Sequence, residues 1–112
     1  MDYALEKIKM KIEQKIYLIE LYDIYSSLLS TSQKNIFHDY YLYDLSLQEI
    51  ASNLSISRSG VEDALKKAKN KLIQLEDKLH IHEMKEKHNK LIEDINHCSS
   101  IEEIKELINK YQ

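Results

Sequence analysis

The chain has 112 residues, 16 basic and 19 acidic side chains, and a formal net charge of −3. That length suits one hydrophobic core with an appended helix and leaves little room for two separate domains. The charge excludes a protein that coats nucleic acid by bulk attraction, so any contact with a polyanion has to be local.

Secondary-structure class follows from what is missing. There is no proline, one glycine (Gly60) and one valine (Val61), so the residues that turn hairpins and fill strands are almost absent. Isoleucine, leucine, lysine and glutamate dominate, which favours an all-α fold. The lone Cys98 cannot form an internal disulfide, and no apolar run has the length of a signal peptide or membrane span. A cytoplasmic protein is expected.

From Ala4 to Leu29 the residues Leu5, Ile8, Ile12, Ile16 and Ile19, then Leu21, Ile24, Tyr25 and Leu28, keep helical spacing. One long helix is predicted, with Lys7, Lys9, Lys11 and Lys15 around a thin apolar stripe. That stripe needs the C-terminal segment or a second subunit to cover it. Ser30 with Gln33 has the spacing of a capping box, so a second helix should start near Thr31, bury Ile36, Phe37, Tyr40 and Tyr41, and end near Asp44.

Ser46 with Glu49 repeats the signature and opens a short helix from Leu47 to Leu54. Ser57 caps another start after a turn of Ser55 and Ile56. Two helix starts so close together describe a helix-turn-helix over residues 46–72. Ala51 supplies the small contact residue, and Ile50, Leu54, Ile56, Val61 and Ala64 are predicted to lock the pair, with Ser55 where glycine is usual. Leu65, Ala68, Leu72, Leu75 and Leu79 then step by three and four, either as a heptad-like seam between subunits or as a stripe packed on the first helix. A homodimer is expected.

The extension over residues 73–112 should be helical, breaking near His80 to His82 and again at His97 to Ser100. Ser100 with Glu103 is a third candidate capping box for a terminal helix. The whole chain, 1–112, is expected to form one domain. His80 and His82 are two apart and do not share a helix face, so no metal site is predicted. Cys98 has only His97 as a basic neighbour, and no phosphate loop or nucleophile triad stands out. Neither an enzyme nor a cofactor is expected.

If the motif binds DNA, its second helix enters the major groove. Ser57, Arg58, Ser59, Glu62 and Asp63 would then meet base edges, and Lys66, Lys67 and Lys69 would hold phosphates. Residues 46–72 hold five basic and three acidic side chains, a surplus of two. Glu62 and Asp63 oppose a polyanion on the presumed reading face.

The combination of Leu29-Ser30 with Gln33-Lys34, Tyr40-Tyr41, Asp44-Leu45-Ser46-Leu47, Glu49-Ile50-Ala51 and Ile56-Ser57-Arg58 with Val61 resembles region four of sigma factors. The longer tract from Leu21-Tyr22-Asp23-Ile24-Tyr25 to Lys78-Leu79-His80 is similar to the YlxM-like family of small bacterial helix-turn-helix proteins. That resemblance implies a sigma-region-four-like fold between long terminal helices. It also implies a gene beside those of the signal recognition particle GTPase or its receptor, an accessory or regulatory part in that targeting pathway through protein or RNA partners, and no catalytic activity. The sigma positions that touch DNA fall on Ser57, Arg58, Ser59, Glu62 and Asp63. The chain departs from the sigma pattern at the last two, where basic or amide side chains are common. A sequence-specific DNA-binding regulator is the alternative.

Overall fold

A computed structural model describes residues 2–112. The described residues are helical with no strand, in the order α1 (Asp2–Tyr25), a 3₁₀ turn (Ser26–Leu28), α2 (Thr31–Tyr41), α3 (Leu47–Leu54), α4 (Arg58–Leu79), α5 (Ile81–Asn96) and α6 (Ile101–Lys110). Two compact units result, one ending at Leu79 and one running from His80 to Gln112.

Local chemistry sets most of these boundaries. The Ser30 and Ser46 hydroxyls each accept the amide hydrogen three residues on, at 3.1 Å, and the Gln33 and Glu49 side chains accept from the two serine amides in return. Ser57 Oγ accepts from the Gly60 amide at 3.0 Å and so starts α4. At the third candidate box only half forms: Ser100 Oγ accepts from Glu103, but the Glu103 carboxylate accepts from the Ser99 amide instead of the Ser100 amide.

Two predicted ends move. The first helix stops at Tyr25 instead of Leu29, because Leu29 must be extended (φ −85, ψ 153) to place Ser30 as a cap. Helix α2 stops at Tyr41, short of Asp44. The Tyr43 amide bonds back to the His38 carbonyl and the Leu45 amide to that of Asp39, which closes the helix with Asp44 left-handed at φ 55. The predicted break near residue 80 is a single left-handed residue, His80, at φ 53.

In the N-terminal unit α4 packs on α1, α2 and α3. The core is built from Leu21, Tyr25, Ile36, Phe37, Ile50, Val61 and Leu72, all at 2% exposure or less. Phe37 lies between Tyr22 and Tyr41, with both ring centroids 4.6 Å away. Such ring pairs contribute about 0.5–1.5 kcal/mol each beyond area burial. Leu65, Ala68 and Leu72 of the leucine seam are buried in this same core. They stabilise the unit itself and are not available as a seam between subunits.

The first half of α1 behaves differently. Leu5, Ile8, Ile12 and Ile16 are 51–64% exposed, whereas Leu21, Tyr22 and Tyr25 are buried. At about 100° per residue the two stripes are rotated by roughly 140° from one another around the helix. One helix therefore carries two apolar faces, and the core uses the second. In the C-terminal unit, α5 and α6 pack on each other, and Tyr111 Oη donates to Asp94 Oδ2 at 2.8 Å.

Candidate functional site

The helix-turn-helix is α3, the turn at Ser55 and Ile56, and the start of α4. Ser55 adopts the left-handed conformation (φ 56, ψ 41) at the position where glycine is usual, and its amide bonds back to α3. Ala51, Ile50 and Val61 are buried where the helices meet, and Ala64 packs at the edge. Two predicted lock residues do not lock: Leu54 is 44% exposed and Ile56 45%. The reversal at Ser55 follows Leu54 directly and carries Ile56 outward, so both side chains form an apolar rim on the turn.

The predicted reading residues share the first turns of α4. Ser57, Arg58, Ser59, Glu62 and Asp63 are all exposed there. Their charges are engaged with one another: Arg58 Nε lies 3.4 Å from Glu62 Oε1, and Lys67 Nζ lies 3.1 Å from Asp63 Oδ2, each one helical turn apart. Each such exposed pair contributes only about 0.3–0.5 kcal/mol, so neither is a structural necessity. Their effect is electrostatic, since each acid neutralises the cation beside it.

The three lysines predicted to grip phosphate do not act as one strip. Lys67 belongs to the pair just described. Lys66 and Lys69 instead line a hollow of about 600 Å³ beside Gln14, Tyr17 and Leu18 of α1. A second hollow, of about 550 Å³, is bordered by Lys11 and Lys15 of α1, Tyr40 and Tyr41 of α2, Asp44 and the same Lys69. Gln14, Leu18 and Lys69 border both, so the two hollows are neighbours along α1 and α4. Lys15 Nζ lies 3.3 Å from the exposed Asp44 carboxylate.

Burial raises the Tyr41 phenol above its ordinary value, as does neighbouring Tyr40, while Lys15 pulls the other way. Burial likewise raises Tyr17, with Glu76 and Asp77 adding to it. Lys11 and Lys15 were not singled out from the sequence as site residues. They lie more than fifty positions before Lys69, and only the packing of α1 on α4 unites them.

A small residue at the crossing, a capped second helix and a left-handed turn define an all-α helix-turn-helix protein. The family model described as "Putative helix-turn-helix protein, YlxM / p13 like" (UPF0122) matches residues 12–111, and the chain belongs to that family. The UPF0122 protein UU142 of Ureaplasma parvum is 41% identical over 91 residues, covering 81% of this chain and 92% of the relative. The UPF0122 protein TTE1463 of Caldanaerobacter subterraneus is 45% identical over 83 residues, covering 74% and 71%. The UPF0122 protein FN1394 of Fusobacterium nucleatum is 35% identical over 99 residues, covering 88% and 96%. No helix among the described residues is long and apolar enough to cross a membrane.

Proposed function

We propose that this protein is a non-catalytic accessory or regulatory component of the signal recognition particle targeting pathway. It acts in the cytoplasm by docking its helical surface on a protein or RNA component of the particle. The pathway comes from the resemblance to YlxM-like proteins. The observation that favours docking over base reading is the pairing of Arg58 with Glu62 and Lys67 with Asp63, which neutralises the helix face that would enter a major groove.

Sequence-specific DNA binding is the second reading, and the exposure of Ser57, Arg58 and Ser59 at the start of α4 favours it. There Arg58 would read a base once released from Glu62, with Glu62 and Asp63 beside it on the reading face. A homodimer fits either reading, because a second copy would bury the outer stripe of Leu5, Ile8, Ile12 and Ile16. Sedimentation of the pure chain checks that.

The deciding experiment titrates the full chain against the particle's GTPase, its RNA and genomic duplex fragments at 50 and 200 mM salt (concentrations of the order at which phosphate contacts are resolved). Binding to a particle component with none to duplex at low salt supports the docking reading. Tight duplex binding that is lost on Arg58→Ala, with no affinity for particle components, replaces it with the second.

A further inference from the structure

We infer that the groove between α1 and α4 is a binding site for single-stranded nucleic acid, separate from the helix-turn-helix reading face. Four lysines border it: Lys11 and Lys15 from α1, Lys66 and Lys69 from α4. In a chain with net charge −3 this is a local concentration of positive charge, offset along the lining only by Asp44. Among the described residues Lys11, Lys66 and Lys69 pair with no carboxylate, in contrast to Arg58 and Lys67 on the outer face. Three of the four groove lysines are thus available to an anion, whereas Arg58 and Lys67 on the reading face are paired.

The shape and the side-chain chemistry indicate the ligand. The two neighbouring hollows, of about 550 and 600 Å³, are concave recesses beside α1 and α4, a shape that a flexible single strand can follow more readily than a stiff duplex. Lys11 and Lys15 are one turn apart, about 6 Å along α1, a spacing that sets two ammonium groups on neighbouring backbone phosphates. Tyr40 and Tyr41 are half-buried at one mouth, edge to face at 5.0 Å, and give bases an aromatic wall to rest on. Lysine is a point charge without arginine's planar fork, so recognition here is of backbone charge and not of base identity. Asp44 bridges to Lys15 when the groove is empty, and a phosphate takes its place when a strand enters.

The site does not depend on the pathway proposed above, and its test uses no pathway component. Fluorescein-labelled dT12 and U12 are titrated with the full chain at 50 and 200 mM salt and followed by anisotropy, with salt dependence of about −0.7 in log K per log salt for each phosphate neutralised. The expected result is binding at low salt that weakens at least tenfold in Lys15→Gln/Lys69→Gln and is restored in Lys15→Arg/Lys69→Arg. Arg58→Ala leaves it within twofold, and circular dichroism shows unchanged helix content in all variants. The inference is overturned if neither oligonucleotide binds at low salt, or if the glutamine variant binds as wild type. It is also overturned if Arg58→Ala abolishes binding, or if a polyaspartate peptide binds more tightly than either strand, which would make the groove a site for an acidic protein segment.

Discussion

Tyr25 Oη donates a 2.7 Å hydrogen bond to Glu76 Oε1, joining α1 to α4 across fifty-one residues inside the core. Tyr25 is 1% exposed and Glu76 is 7% exposed, the one buried polar or charged residue among those described. A buried carboxyl group is costly unless it is hydrogen-bonded, so this bond ties α4 to α1 alongside the apolar contacts between them. Tyr25→Phe keeps the ring and removes the donor. It should lower stability by about 1–3 kcal/mol, the range for taking one partner from a buried polar group. Urea denaturation checks it, and an unchanged midpoint would show that the bond carries no net stability.

The capping box of α3 gives a second expectation. With only eight residues, α3 has little propagation energy to spare and depends on its cap. Ser46→Ala should destabilise the N-terminal unit by about 1 kcal/mol, while Ser46→Asp should retain most of the stability. The comparison of the two urea midpoints isolates the side-chain acceptor from general disturbance of the loop.

Ser55 holds a left-handed conformation that disfavours a side chain. Ser55→Gly relieves this and should raise stability by about 0.5 kcal/mol after the entropy of the freer unfolded chain is deducted. A β-branched residue fits the conformation worse, so thermal midpoints should rank Gly above Ser above Val. Any other order would mean that the turn is set by contacts and not by backbone strain.

The two ion pairs on the outer face of α4 lead to an opposite kind of prediction. Glu62→Gln/Asp63→Asn releases Arg58 and Lys67. Folding stability should change by less than about 1 kcal/mol, because exposed pairs are weak. Non-specific duplex affinity should rise at low salt, and the slope of log K against log salt should steepen by up to about 1.8, two phosphates' worth. Gel-shift titrations at several salt concentrations measure this directly, and an unaltered slope would show that the acids do not mask the cations.

Alkaline pH should unfold the protein by a tyrosine route. Tyr17, Tyr22 and Tyr41 are raised above the ordinary value of 10.0 chiefly by burial, and Tyr111 chiefly by its hydrogen bond to Asp94. The folded state thus holds these protons more tightly than the unfolded chain does. Their contribution is fully present below pH 10 and is lost as pH rises through the raised values, so stability falls with pH in that window. Phenolate absorbance should lag the ordinary titration and rise together with loss of helical circular dichroism. Tyr41→Phe should make the fall in stability shallower.

Features written in a few consecutive residues were legible from the sequence. Ser30, Ser46 and Ser57 announce helix starts because the bonds they make close within three positions. The turn at Ser55 was legible for the same reason. Leu54 and Ile56 were not, because periodicity records that a residue is apolar and not which way the chain leaves the helix. The lysines show the limit most clearly. Lys66 and Lys69 read as part of a duplex-gripping strip until α1 is packed beside them, and Lys11 and Lys15 read only as flanks of a thin apolar stripe. The phase change in α1 was a sequence-level clue: Leu5, Ile8, Ile12 and Ile16 fall out of step with Leu18, Leu21 and Tyr25, so one helix could not bury both.

That phase change makes α1 a torsional ruler. The angle between its outer stripe and the core is not adjusted by a loop or hinge; it is counted out in residues between Ile16 and Leu21. A single inserted residue there turns everything upstream by about 100° and advances it about 1.5 Å, whereas four restore the angle to within roughly 40°. Whatever meets the outer stripe is therefore aimed by the length of an uninterrupted helix, and within that segment the number of residues matters as much as their identity.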